Sequence, residues 1–223
     1  QESDQMARQA LEMALGRGGD QVAIKSGSSF AFYGGTSKGV EKRTKVKTRI
    51  MASALSELIG TAENVLIMGH QFADLDCLGS AVGMYKAVRQ MGKPAAVVLN
   101  RQRNLAFPLY NRLAQNGYAD AFVEPDLAID LIGKKTLLVV VDTHLPHILE
   151  SREVYSACKT VAVIDHHRKM VGHIDNAVIF YHEPYASSAS EMVTELVQYF
   201  GDHVKIGKME AEALLSGIML DTK

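Results

Sequence analysis

The chain has 223 residues, 47% of them hydrophobic and 22% charged, with a formal net charge of -1. That length and balance suit one large globular domain, or one and a half small ones, and argue against a nucleic-acid binder that works through a broad basic surface. Two cysteines, Cys77 and Cys158, give neither a disulfide framework nor zinc spacing, so a reducing cytoplasm is expected; no signal peptide or membrane-length apolar run is present in this stretch.

In chain order, an amphipathic helix is predicted over 4–16, where Met6, Ala7, Ala10, Leu11, Ala14 and Leu15 form one stripe that Gly18 and Gly19 end. Short strands follow over 21–25 and 30–33, then a Gly, Ser and Lys-rich connector over 34–43 and a helix over 45–58 closed by Gly60. From Asn64 the rhythm becomes strand, loop, helix. Strands are predicted over 65–68, 95–99, 136–141, 161–164 and 178–181, with an extended piece at 121–123. Helices are predicted over 78–91, 108–116, 187–200 and 208–219, while 146–150 is too brief to assign. Apolar, β-branched strands alternating with helices give the α/β class: a mostly parallel sheet flanked by helices, preceded by a partial α+β segment.

The chemistry sits where the apolar runs end. Met68 and Gly69 lead into His70, Asp74 and Asp76; Val141 into Asp142 and His144; Ile164 into Asp165, His166, His167 and Arg168; Leu220 into Asp221. Strand ends build the crevice of an open α/β sheet. Mixed carboxylates and imidazoles suit a pair of divalent ions, Mn²⁺ above all, held about 3.5–4 Å apart. Plainer readings exist for each piece. Asp76 could cap the helix expected to begin near Leu78. Asp142 could bind ribose as in a dinucleotide fold, but no glycine-rich phosphate loop accompanies any strand.

Taken in order, His70-x-x-x-Asp74-x-Asp76, Asp142, Asp165-His166-His167 and Asp221 resemble the four motifs of the DHH phosphoesterase superfamily, over residues 64–223. That superfamily includes exonucleases, family II pyrophosphatases, oligoribonucleases and cyclic-di-AMP phosphodiesterases. The resemblance implies one ion on His70, Asp74 and Asp142 and a second on Asp76, Asp142, His166 and Asp221, with Asp142 bridging. The front piece is similar to the closing helix and strand of a degenerate GGDEF domain, although Gly18-Gly19-Asp20 follows a helix and so is not the cyclase signature itself. A degenerate GGDEF domain directly before a DHH domain resembles the membrane-bound cyclic-di-AMP phosphodiesterases of the GdpP (YybT) type. By that resemblance, residues 1–45 are a GGDEF-like remnant and connector, and 46–223 the DHH catalytic domain. Membrane helices would precede them and a substrate-gripping domain would follow, the chain being a piece of a longer protein at the cytoplasmic face of a bacterial membrane.

The expected function is two-metal hydrolysis of cyclic-di-AMP to linear pApA by metal-activated hydroxide. His167 would protonate or hydrogen-bond the leaving group or a phosphate oxygen, Arg168 would offset phosphoryl charge, and Asp165 would orient the histidines. Ser187 and Ser188, at a helix start, could contact phosphate, or could simply cap that helix with Glu191. Alternatives are a nuclease or nanoRNase on short oligonucleotides and a non-catalytic nucleotide sensor. The basic and aromatic interleaving of a long nucleic-acid channel is missing. A homodimer is compatible with this reading. His173, His182, Cys77 and the basic run 100–103 read as ordinary packing or surface residues.

Overall fold

The computed structural model describes residues 2–16, 21–26, 29–34 and 45–222. The helix stop at Gly18 and Gly19, Asp20, the connector beyond Gly34 and Lys223 lie outside the described residues. At the front, α1 (Glu2–Gly16) lies against β1 (Gln21–Ser26), which pairs antiparallel with β2 (Ser29–Gly34). Ala10 and Ala14, one turn apart, are the buried positions of α1.

A longer helix, α2 (Lys45–Thr61), buries Thr48, Ala52, Leu55 and Ile59 along one face. The remaining strands are β3 (Asn64–Met68), β4 (Ala95–Val98), β5 (Phe122–Val123), β6 (Thr136–Val141), β7 (Thr160–Asp165) and β8 (Ile179–His182). Between and after them run α3 (Leu75–Gln90), α4 (Phe107–Leu113), α5 (Pro125–Ala128), α6 (Arg152–Ala157), α7 (Ala189–Val197) and α8 (Lys208–Asp221). All six strands are parallel, in the order β5-β4-β3-β6-β7-β8. The chain therefore runs outward from β3 through β5, crosses back to β6, and runs outward the other way. The topological switch point falls between β3 and β6, where ligands bind in such sheets.

Strand residues alternate between two cores, as the period of two requires. Val65, Ile67, Leu137, Val139 and Val141 pack under α2, α3, α4, α7 and α8, while Leu66, Met68, Leu138 and Val140 face α5 and α6. Every residue of β6 is buried, and each large aliphatic contributes about 1.5–3 kcal/mol relative to exposure.

The expected sheet is present, and several boundaries move. α3 starts at Leu75, so Asp76 lies in its first turn and not in the preceding loop. The helix predicted over 208–219 runs two residues further, so Asp221 is the last residue of α8 and not a loop residue. α7 begins at Ala189 and ends at Val197. The 146–150 segment carries no helix, and the short helix follows it at α6.

Candidate metal centre

β3 delivers the first group of side chains through a close turn. A Cβ on Gly69 would stand 2.1 Å from Cys77 Sγ and 3.1 Å from the Val141 carbonyl, so only glycine lets the chain pass α3 here. Beyond it the loop is stitched to the 148–150 segment: Gln71 N–H donates to Ile148 O at 2.7 Å and Glu150 N–H to Gly69 O at 3.0 Å. His70 Nδ1 lies 2.7 Å from the Gln71 carbonyl, to which its N–H donates, which leaves Nε2 facing the site. That nitrogen is 3.3 Å from Asp142 Oδ2 and 3.9 Å from Asp74 Oδ1.

Asp74, and not Asp76, caps α3: its Oδ1 accepts from the Asp76 and Cys77 amides, both at 3.0 Å. Asp76 is fully buried, and its two oxygens accept the Ala189 and Ser190 amides at 2.7 and 2.8 Å. The N-terminus of α7 thus holds a carboxylate of the protein itself. Burial pushes the Asp76 carboxyl up to about 7, with the nearby Asp142 charge adding to the rise and the two amides opposing it.

β6 ends in Asp142, whose backbone is left-handed with φ 59. Aspartate tolerates that region better than most residues. Its carboxylate, 2% exposed, stands between three imidazoles: His70 on one oxygen, and His166 at 3.4 Å and His167 at 3.7 Å on the other. Burial alone would raise its pKa, yet the His166 and His70 rings beside it carry the net shift downward. His166 Nε2 also lies 3.2 Å from Asp221 Oδ2 and 3.7 Å from Asp76 Oδ2. Asp142 Oδ1 and His166 Nε2 are buried without a hydrogen-bond partner. Such orphaned atoms are rare in a folded protein and call for an explanation such as an ion.

Among the described residues, three clusters could each hold a cation: His70, Cys77 and Asp142; Asp142, His166 and His167; Asp76, His166 and Asp221. The Cys77 thiol is a poor member, because burial, together with the Asp142 and Asp74 charges, raises its pKa well above the usual thiol value. The donor set, with anionic oxygens and imidazole nitrogens converging from four segments, fits divalent ions. Of the six expected ligands, His70, Asp76, Asp142, His166 and Asp221 fall within these clusters; Asp74 falls in none of them, its Oδ1 capping α3 and lying 3.9 Å from His70 Nε2.

Behind them sits Asp165, fully buried and paired with His144 Nδ1 through one oxygen. Its other oxygen accepts from His167 Nδ1 at 2.8 Å and His167 N at 3.3 Å. Burial would raise the Asp165 pKa, but these two imidazoles hold it well below the usual carboxylate range. His144 Nε2 in turn accepts the Met170 amide at 3.1 Å, so the proton of that ring sits on Nδ1. Asp165 therefore orients His167 and His144, and makes no hydrogen bond to His166. His144 went without a role in the sequence; an Asp-x-His pair at a strand end was the one signal it carried.

The two serines, open in the sequence to phosphate contact or to helix capping, both bond to Glu191. Ser188 is fully buried and its hydroxyl accepts the Glu191 amide at 2.9 Å, while Ser187 donates N–H and O–H to Glu191 Oε2, both at 2.7 Å. The Ser188 hydroxyl caps α7, that of Ser187 is held by the Glu191 carboxylate, and the Ala189 and Ser190 amides at the start of the helix are taken by Asp76. Arg168 lies exposed on the loop after β7, next to the half-exposed His167.

The geometry predicts a pH dependence. His70 and His166 are each raised to about 9. In both, burial lowers the value and is outweighed by neighbouring carboxylates, Asp142 first. Their contribution to the metal-free fold is fully present below about 6.5 and lost as pH rises through 9; that of Asp76, also raised, is lost through about 7. Ligands bind metal deprotonated, so Mn²⁺ affinity should climb over the same window. The melting-temperature gap between Mn²⁺-saturated and chelator-treated protein should widen from pH 6.5 to 9. A constant gap would contradict this ligand assignment.

A doubly wound parallel sheet with carboxylates and imidazoles converging at its switch point is an arrangement able to hold divalent ions. Residues 64–218 match the family model described as DHH family, N-terminal domain. The chain belongs to the DHH family, as the motif order implied. Over 98% of its length it is 44% identical to the cyclic-di-AMP phosphodiesterase GdpP of Geobacillus thermodenitrificans, and 41% identical to the cyclic-di-AMP phosphodiesterase PdeA of Listeria monocytogenes. It spans about a third, 34%, of the length of each. An exopolyphosphatase-related protein from Bacteroides fragilis shares the fold with a TM-score of 0.65 at 22% identity, over 78% of this chain and 50% of that one.

Proposed function

We propose that this chain is the catalytic part of a two-metal phosphodiesterase that opens cyclic-di-AMP to linear pApA. The observation that carries the metal reading is the pair of buried, unpartnered atoms, Asp142 Oδ1 and His166 Nε2, facing each other among four more donors. Support for the substrate comes from the likeness to cyclic-di-AMP phosphodiesterases over nearly the whole chain. His70, Asp74 and Asp142 would hold one ion, Asp76, Asp142, His166 and Asp221 the other, with Mn²⁺ as the native metal. When bound, the pair would make water a nucleophile at neutral pH and offset charge on the phosphoryl oxygens.

The protein's own groups do the rest. Asp165 fixes His167 with Nδ1 toward the interior, so Nε2 is free to hold a proton toward the leaving 3′-oxygen or a phosphate oxygen; the same hydrogen bond raises the His167 pKa. Exposed Arg168 would pair with a phosphate oxygen. His144 holds the far side of Asp165, so the carboxylate cannot turn away from His167. Residues 1–45 would be the end of a degenerate GGDEF-like domain with its connector, and 46–223 the DHH catalytic domain. The protein would be anchored in the membrane by segments other than these, since no helix among the described residues is long and apolar enough to cross one. Homodimerisation belongs to the same proposal.

The test follows conversion of cyclic-di-AMP to pApA while Mn²⁺ is added and then chelated. Metal-dependent turnover is expected, with little competition from an oligoribonucleotide. Cleavage of the oligonucleotide alone would make the protein a nuclease, and tight dinucleotide binding without turnover a sensor. Within this scheme Asp165→Asn should lower turnover about 10–100-fold while both ions still bind, as losses one layer behind a metal site do. Loss of metal in that variant would show that Asp165 itself is a ligand.

A further inference from the structure

Phe72 combines two features that folding alone disfavours. Its backbone is left-handed, with φ 57, a region that a bulky side chain adopts only under strain. The residue is 51% exposed. Glycine at this position would remove the first penalty and a polar residue the second. The segment has no slack that would explain the conformation. On one side Gln71 is tied through its amide to Ile148 O and through Nε2 to Leu149 O at 3.2 Å. On the other the Ala73 carbonyl accepts the Leu105 and Ala106 amides at 2.8 and 3.1 Å. The ring is thus held out to solvent by a loop pinned at both ends. The same hydrogen bonds bring in Leu105 and Ile148, themselves exposed, as apolar neighbours.

The position matters because Phe72 lies two residues from both His70 and Asp74. Consecutive Cα atoms are about 3.8 Å apart, so its Cα is within about 7.6 Å of each. A nucleotide whose phosphate sits among these groups carries its base one sugar away, at the distance this rim covers. Aromatic faces bind bases of any sequence by stacking. We infer that Phe72 is the platform on which one nucleobase of the substrate stacks, fixing the adjoining phosphodiester over the metal centre. The inference rests on the phosphodiesterase reading above and adds the residue that selects a nucleotide over a bare phosphate ester.

The test compares Phe72→Ala, Phe72→Gly and Phe72→Trp in the full protein, using cyclic-di-AMP and an analogue in which one ribose lacks its base. Phe72→Ala and Phe72→Gly should raise KM for cyclic-di-AMP about 10–100-fold, and Phe72→Trp should stay within a few-fold of wild type. Mn²⁺ binding should be unchanged in all three. Phe72→Gly should also melt higher than wild type, because the strain is gone. Removing the base from the substrate and the ring from the protein should not add, since each deletes the same contact. Additive losses, an unchanged KM, weakened Mn²⁺ binding, or a change of oligomeric state without a change in KM would each overturn the inference. If wild type turns over no cyclic dinucleotide, the functional reading itself fails; an active wild type with an indifferent Phe72→Ala sinks this inference alone.

Discussion

Asp142→Asn is expected to fold, to lose high-affinity binding of both ions, and to lose turnover by at least about 10³-fold, beyond the range for removing a single transition-state donor. Asparagine accepts the left-handed backbone of this position about as readily as aspartate, so the end of β6 should stand. What goes is the negative charge that His70 faces at 3.3 Å and His166 at 3.4 Å. An amide cannot serve two cations from its two ends, because one end is a donor. The imidazoles also lose the carboxylate that raises them most, so the pH window of metal uptake should move down in the variant. Calorimetric Mn²⁺ titration and turnover measured together decide the matter. Two tight sites in Asp142→Asn would mean that the carboxylate does not bridge.

Gly217→Val should remove one ion and leave the other. A Cβ at Gly217 would stand 2.3 Å from Ser190 Oγ and 2.8 Å from both Cα and Oδ1 of Asp76. The Asp76 Cα is main chain at the start of α3 and cannot swing aside, so α8 must move away. Overpacking of this kind costs about 1–3 kcal/mol, and here the displaced helix carries Asp221. The cluster of Asp76, His166 and Asp221 should open while His70 in the loop after β3, Asp74 capping α3 and Asp142 just after β6 keep their places. Mn²⁺ stoichiometry should fall from two to one, with turnover lost. Gly60→Ala is the control, since that helical glycine has nothing within 4 Å and alanine there should stabilise by up to about 1 kcal/mol. A Gly217→Val protein with two unaltered sites would show that α8 does not position Asp221.

Much of this was legible before any coordinates. Runs such as 136–141 (Thr-Leu-Leu-Val-Val-Val) are nearly all apolar and rich in β-branched residues, as suits a strand covered on both faces. Asp and His at the ends of such runs then had to gather on one edge of the sheet. Less legible was anything decided by backbone geometry. Asp74 and Asp76 are equally good caps by residue type, and the extended backbone at Asp74 chooses between them. Ser187 and Ser188 offer the same hydroxyls to a phosphate as to their own helix. The amides that hold Asp76 belong to Ala189 and Ser190, and no side chain advertises them. The pairing of His144 with Asp165 joins two strand ends that are neighbours only in the folded sheet. α6 was missed because it is barely a turn and a half, with Val154 as its one buried residue.

The dispersal of the donors along the chain has a consequence for how the molecule comes apart. Ions held jointly by the loop after β3, the end of β6, the end of β7 and the last residue of α8 would act as a cross-link closing a loop from His70 to Asp221. Such a clasp works like a staple between remote segments, and its effect grows with the length of chain enclosed. Stripping the metal would loosen the last turn of α8 first, where Asp221 reaches the centre, while Ala213, Leu214 and Gly217 keep the rest of that helix packed against α3. Proteases should then find the end of α8 before they find the sheet, and the lifetime of the native state would be set by how long the ions stay.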